Sequence, residues 1–265
     1  MLELYQFELS HYCEKVRLIL DYKGLPYRKI EVSPGVGQLE IFQLSGQRQV
    51  PLLKDGETII TDSTEIAFYL ERKYPEKPII PSDPLARGQC LLIEDWADQS
   101  LGEKGRKALL GAFKQHQNFR TAVLPQSTPG FLKNLFGTLP AELFELLGAG
   151  VGFSKEETQQ AFRELKQDLE ALSLILQNRP YLAGNVPSLA DLAVVGLSIY
   201  LKFPQTSKLD LPEILRGRGV PGLADNNAYS PFFEWRDRFY ETYRYSGIDN
   251  SSPSSEPVPI NIDSE

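Results

Sequence analysis

The chain is poor in the residues that build metal centres and disulfide scaffolds. Two cysteines, Cys13 and Cys90, and two histidines, His11 and His116, are all that 265 residues hold. Neither pair has metal-ligand spacing, so no metal site is expected. Two cysteines in a chain of this length point to a reducing, cytoplasmic compartment, not to a cross-linked secreted fold. No run of 18 apolar residues is present to span a bilayer. The start, MLELYQFELSH, lacks the basic cluster and apolar core of a signal peptide. Excess positive charge is also missing. The net charge is −7, which argues against a nucleic-acid partner. Four of the acidic residues (Asp249, Glu256, Asp263, Glu265) fall in a final stretch without Lys or Arg, leaving about −3 for the body.

What is present divides into segments. The acidic tail, 247–265, is rich in Ser and Pro and is expected to be disordered, since it cannot bury enough apolar surface to offset its ordering entropy. Four prolines (Pro75, Pro78, Pro81, Pro84) break both helix and sheet in the stretch PEKPIIPSDPLARGQ. We place a domain boundary there: one domain over 1–81, a linker over 82–88, a second domain over 89–246. Before the boundary, strand-like and helical runs alternate. LELYQF reads as a strand. Residues 11–23 read as a helix with Tyr12, Val16, Ile19 and Leu20 on one face, stopped by Gly24. YRKIEV is a second strand, followed by a looser helix over about 36–45. VPLLK, the turn Asp55-Gly56 and TIIT form a hairpin. DSTEIAFYLERKY is a helix with Ile66, Ala67, Leu70 and Tyr74 on one face. This βα-βα-ββα order is that of a thioredoxin-like α/β domain.

After the boundary almost everything reads as helix. One helix is expected over about 84–118. Another carries Ala161, Leu165, Leu169, Leu172 and Leu176. A third, over 188–202, is nearly all apolar and therefore buried on all sides. A last one carries Phe232, Trp235, Phe239 and Tyr243. The second domain is thus all-α.

A thioredoxin-like domain bearing SHYCEKVRLILDYKGLPY, then GQRQVPLL, then TDSTEI, followed by an all-helical domain, resembles the soluble glutathione transferases. The resemblance is strong over about 1–81 and looser to about 246, anchored by SLADLAV. It implies that Pro51 is cis, and that the N–H and C=O of Val50 pair with the backbone of glutathione's cysteine like a short added strand. It implies that Ser63 and the start of its helix take the γ-glutamyl carboxylate, with Asp62 facing the α-amino group. Gln49 and Arg48 match where relatives contact the glycine end. Read on residues alone, Pro51 is equally an edge-strand proline, and Asp62 or Ser63 equally a helix N-cap.

Ser10 stands where serine-type members place the hydroxyl that activates glutathione's thiol. Cys13 stands at the second position of what a redox member would have as Cys-x-x-Cys. Ser10 also reads as an N-cap, and Cys13 as a buried, unreactive thiol. Energetically, Ser10 is sufficient for this task. Lowering a thiol pKa of ~8.5 by about two units needs about 2.7 kcal/mol. A helix N-terminus contributes ~0.3–1 kcal/mol, up to ~2 when partly buried. A hydrogen bond to a charged group contributes ~1.5–3 kcal/mol. The dipole falls short alone; with the hydroxyl it reaches the requirement. His11, beside Ser10, reads as solvent-facing.

In the helical domain, Ser188 with Asp191 forms a capping box that supports folding, with Val186 placed to staple onto the helix. Residues 129–153 are apolar and glycine-rich. They read as a cover over the substrate cleft, or else as a segment touching a membrane surface or a partner. The chain is therefore expected to be a serine-type glutathione transferase: glutathione as co-substrate, no further cofactor, an apolar electrophile held between the domains. A homodimer is what the family implies. The alternatives are a glutathione-dependent thiol oxidoreductase or dehydroascorbate-type reductase working through Cys13, and a non-catalytic binding or interaction protein on the same fold.

Overall fold

The computed structural model describes residues 1–32, 36–115, 153–206, 208–209, 211 and 213–245. The expectations for 129–152 and for the tail fall outside these residues.

The N-terminal part is a four-stranded mixed sheet with helices on both faces. Its elements are β1 (Leu2–Gln6), α1 (His11–Lys23), β2 (Tyr27–Glu31), α2 (Val36–Ser45), β3 (Leu52–Asp55), β4 (Thr58–Thr61) and α3 (Ser63–Lys73). The order across the sheet is β2-β1-β3-β4. β1 runs parallel to β2, pairing Leu4 with Lys29, and antiparallel to β3, pairing Leu4 with Leu53. β3 and β4 form the expected hairpin, with Leu53 opposite Ile60. Leu2, Leu4 and Leu53 point into the main core against α1 and α3. Tyr5, Val32, Ile41 and Leu52 form a smaller cluster on the opposite face, as the period-two alternation of strands requires.

The second part is helical: α4 (Pro84–Trp96), a π-helical stretch (Ala97–Leu101), α5 (Gly102–Gln115), α6 (Lys155–Asn178), α7 (Leu189–Leu197) and α8 (Ser230–Tyr243). A single helix over 84–118 is thus replaced by two joined through a π-turn, a feature frequent at functional sites. The central helix is also shorter than expected. Every residue of Leu189–Leu197 is buried, but the chain tightens into a 3-10 turn at Ser198–Tyr200. Ser188 caps α7. The Asp191 carboxylate accepts from the Ser188 N–H and hydroxyl and from the Leu182 N–H, each at 2.8 Å. Val186 forms no staple and is 66% exposed. It stands two residues before the cap, and the stapling position belongs to Pro187.

Helix α1 is buried along nearly its whole length between the sheet and the helical part. Gly196 makes this approach feasible: a Cβ there would stand 2.7 Å from the Lys15 backbone. The charges on α1 are consequently paired inside the protein. Glu14 lies 2.5 Å from Arg17 and 3.0 Å from Arg244, and Asp21 lies 2.5 Å from Arg244. These bonds tie the end of the last helix to the first. Among the described residues no helix is long and apolar enough to cross a membrane.

Candidate active site

A cleft of about 920 Å³ opens between the sheet end of the first domain and the π-turn and α5 of the second. Three separate sequence motifs meet on its N-terminal wall: Ser10; Arg48, Gln49, Val50 and Pro51; and Asp62 with Ser63.

Ser10 is the N-cap of α1. Its backbone is extended, and its Oγ accepts the Cys13 N–H at 3.3 Å. Ser10 is half-buried and lines the cleft. Cys13, one turn further, is fully buried. Burial pushes its thiol upward, while Arg17 and the Ser10 hydroxyl oppose this. A buried thiol shifted upward carries little thiolate, the form that reacts.

The Val50–Pro51 bond is cis. Val50 lies outside the β3 ladder, which begins at Leu52, and borders the cleft. Arg48 and Gln49 are exposed at the mouth, with the Arg48 guanidinium 5.4 Å from the centre of the Phe42 ring.

Asp62, not Ser63, is the N-cap of α3. Its carboxylate accepts from Thr64 N–H at 2.9 Å and Glu65 N–H at 3.1 Å. Its φ of 73° lies in a region that non-glycine residues enter at a cost of about 1–3 kcal/mol. The two cap bonds offset that cost. Ser63 follows as the first helical residue, buried, its hydroxyl donating to Asp98 at 3.1 Å.

Asp98 belongs to the π-turn, and no local pattern marked it. It lies 2.7 Å from Lys15, whose ammonium also meets Glu94 at 2.6 Å and the Thr64 hydroxyl at 2.9 Å. Thr64 in turn donates to Glu94 at 2.7 Å. This network joins α1, α3 and α4 directly beneath the cleft. A fully buried lysine demands such partners. They lie 79 and 83 positions away, so the signal in the sequence is at most the presence of a lysine on an otherwise enclosed helix.

His11 is the clearest correction. It is 4% exposed, not solvent-facing. The helical domain covers it, with the Tyr200 ring 4.5 Å away and a Cβ at Gly102 falling 3.0 Å from Nε2, and the neighbouring Tyr12 ring on α1 lies 4.2 Å away. Burial, with a smaller push from Arg106, lowers its imidazole to about 3. It is therefore neutral across the physiological range. The cleft also receives Tyr12, Gln99, Glu103, Arg106 and Tyr200, which sequence reasoning did not find.

The family model for the N-terminal domain of glutathione S-transferases matches residues 4–78, and that for the C-terminal domain matches residues 109–216, together more than half of the chain. The Stringent starvation protein A homolog of Pasteurella multocida (strain Pm70) is 28% identical over 169 residues, 58% of this chain and 79% of that protein. A zeta class glutathione S-transferase of Euphorbia esula is 41% identical over 85 residues, 31% of this chain and 38% of that protein. The chain therefore aligns with well under half the length of this plant relative. Among solved structures, human glutathione S-transferase T1-1 in its apo form superposes with a TM-score of 0.59 at 23% identity, covering 92% of this chain and 84% of that one. That likeness is one of fold.

Proposed function

The chain belongs to the glutathione S-transferase family, and on that premise we propose that it is a serine-type glutathione transferase. Glutathione lies along the N-terminal wall of the cleft. The Val50 backbone takes its cysteine, Ser63 and the start of α3 take its γ-glutamyl carboxylate, Asp62 and Asp98 take its α-amino group, and Arg48 and Gln49 meet its glycine end. The Ser10 hydroxyl donates to the glutathione sulfur and stabilises the thiolate. That thiolate attacks an electrophile held against the helical wall; Ser10 itself forms no covalent bond.

The observation that carries this reading is the convergence of Ser10, Val50 and Ser63 on one cleft. They come from three motifs spread over more than fifty residues. The Ser10 oxygen already accepts the Cys13 N–H, and the same hydroxyl has a proton to donate. The oxidoreductase reading through Cys13 is disfavoured by the burial of that thiol. A non-catalytic binding role on the same fold draws support from the likeness to the starvation protein homolog, whose name carries no transferase activity.

The deciding experiment is a glutathione-dependent activity panel, covering conjugation and disulfide exchange, on wild type, Ser10→Ala and Cys13→Ser. Ser10→Ala is expected to cut conjugation about 10- to 100-fold, the loss of one hydrogen bond to a charged sulfur, with glutathione affinity nearly unchanged. Cys13→Ser is expected to retain conjugation. Unchanged turnover in Ser10→Ala removes Ser10 from the mechanism. Disulfide exchange lost only in Cys13→Ser establishes the oxidoreductase. No turnover in any assay, with glutathione still bound, establishes the binding role.

A further inference from the structure

Within the described residues, the part of the cleft where the start of α1 meets the helical domain is polar. Its hydrogen-bonding groups separate into those already committed and those left over. The Tyr12 hydroxyl donates to the Asp98 backbone oxygen at 3.1 Å, and the Tyr200 hydroxyl to the Leu9 oxygen at 2.8 Å. The Asp98 carboxylate is held by Lys15 at 2.7 Å, and Glu103 by the Arg106 Nη2 at 2.9 Å. Of the buried groups, what remains is two nitrogens of His11 and the Nε of Arg106, each without a hydrogen-bond partner among the described residues.

Buried polar nitrogens without hydrogen-bond partners are rare and costly in folded proteins, and two of these three, one on the neutral imidazole and the Arg106 Nε, are donors. Here they belong to two residues that line the same cleft as Ser10 and lie close enough for Arg106 to act on the His11 imidazole. We propose that His11 and Arg106 form a subsite for a carboxylate carried by the electrophile, next to the carbon that glutathione's sulfur attacks. The proposal rests on the reading of the cleft as a glutathione site.

The chemistry favours an anion over a neutral carbonyl. A neutral imidazole donates one N–H, and a guanidinium supplies a second N–H together with its charge. Because burial keeps His11 uncharged, it stands near Arg106 without like-charge repulsion. The acidic groups that would oppose an incoming carboxylate, Asp98 and Glu103, each face a cation already. The electrophile therefore differs from an all-apolar one: it has a reactive carbon and a short arm ending in a carboxylate.

Conjugate analogues test this without turnover. Calorimetric titrations compare glutathione, S-butylglutathione and S-(3-carboxypropyl)glutathione, the last two differing in their terminal group. Wild type is expected to bind the carboxypropyl conjugate about tenfold more tightly than the butyl conjugate, the fold-change of one charge-assisted hydrogen bond. Arg106→Met and His11→Phe should each erase most of that preference and leave glutathione itself unaffected. His11→Gln, which keeps an N–H donor, should retain part of it. Arg106 is half-buried, so its variant is the one expected to fold without difficulty if His11→Phe does not. Glutathione and the butyl conjugate binding with no gain from the carboxylate overturns the subsite alone. Failure of glutathione itself to bind overturns the reading of the cleft, and the subsite with it.

Discussion

On the N-terminal wall of the cleft, Ser10, Asp62 and Ser63 sit at helix starts and are held in place: Ser10 by the Cys13 N–H, Asp62 by two amides of α3, Ser63 by Asp98. Where the helical part closes over the cleft, His11 at the start of α1 and Arg106 on α5 are positioned by rings, a glycine and one ion pair, and keep buried nitrogens without hydrogen-bond partners among the described residues. The first wall is organised mainly by backbone geometry within a few residues of each group, the bond from Ser63 to Asp98 being the exception. The second is organised by the meeting of distant segments. On the proposed reading, the backbone-defined side is the one that takes glutathione, and the other side meets the electrophile.

Lys15 is where the contrast is most open to attack, because it ties the two walls together. Lys15→Ala leaves Glu94 and Asp98 without their shared cation in a buried setting. Removing one partner of a buried pair costs about 3–5 kcal/mol, read as the loss of unfolding free energy in urea. A loss under about 1 kcal/mol would mean that water satisfies both carboxylates, and that the walls are held by packing alone.

Titration separates the walls next. His11 is lowered by burial to about 3, against about 6.5 in an unfolded chain. Between these values the unfolded state binds the extra proton, so the stabilisation is complete above pH 6.5 and is lost as pH falls. At about 1.4 kcal/mol per pH unit, His11 contributes a loss of about 2 kcal/mol between pH 7 and pH 5. Asp191, raised by burial to about 6, acts with the opposite sign over the acidic part of this range. The measurement is therefore a difference: His11→Phe should show an acid-induced destabilisation smaller than wild type by about 2 kcal/mol. Parallel pH profiles would place the imidazole in contact with water.

The smallest effect belongs to Ser63. Its hydroxyl proton is directed at Asp98, so it must turn toward the ligand to bind the γ-glutamyl carboxylate. The new bond is offset by the one given up. Ser63→Ala is expected to weaken glutathione by about three- to tenfold, in line with a net hydrogen bond of ~0.5–1.5 kcal/mol. Calorimetry giving an unchanged affinity would move the γ-glutamyl site elsewhere. Folding should be nearly unaffected, since Asp62 caps α3.

Much of the fold and one wall of the site were legible beforehand. Ser10 and Ser188 announce helix starts, the Asp55-Gly56 hairpin follows from turn chemistry, and the all-apolar run over 189–197 requires burial. The order of these elements then carried the family resemblance. The helix over 84–118 was misjudged because a π-turn adds its extra residue without interrupting the apolar pattern. His11 was misjudged because a polar residue at a helix start is ordinarily exposed.

By itself, then, the sequence determined most of the elements, several of their caps and the three motifs that line the N-terminal wall. Each of these depends on residues within about one helical turn or one hairpin of one another. Only the tertiary structure decided the surroundings of His11, the placement of Asp98 and Arg106 in the cleft, and the partners of the charges on α1. Those outcomes depend on contacts such as Glu14 with Arg244, separated by 230 positions. Whether a polar group is buried and paired is set by what the packed core brings against it, and no local pattern encodes that neighbour.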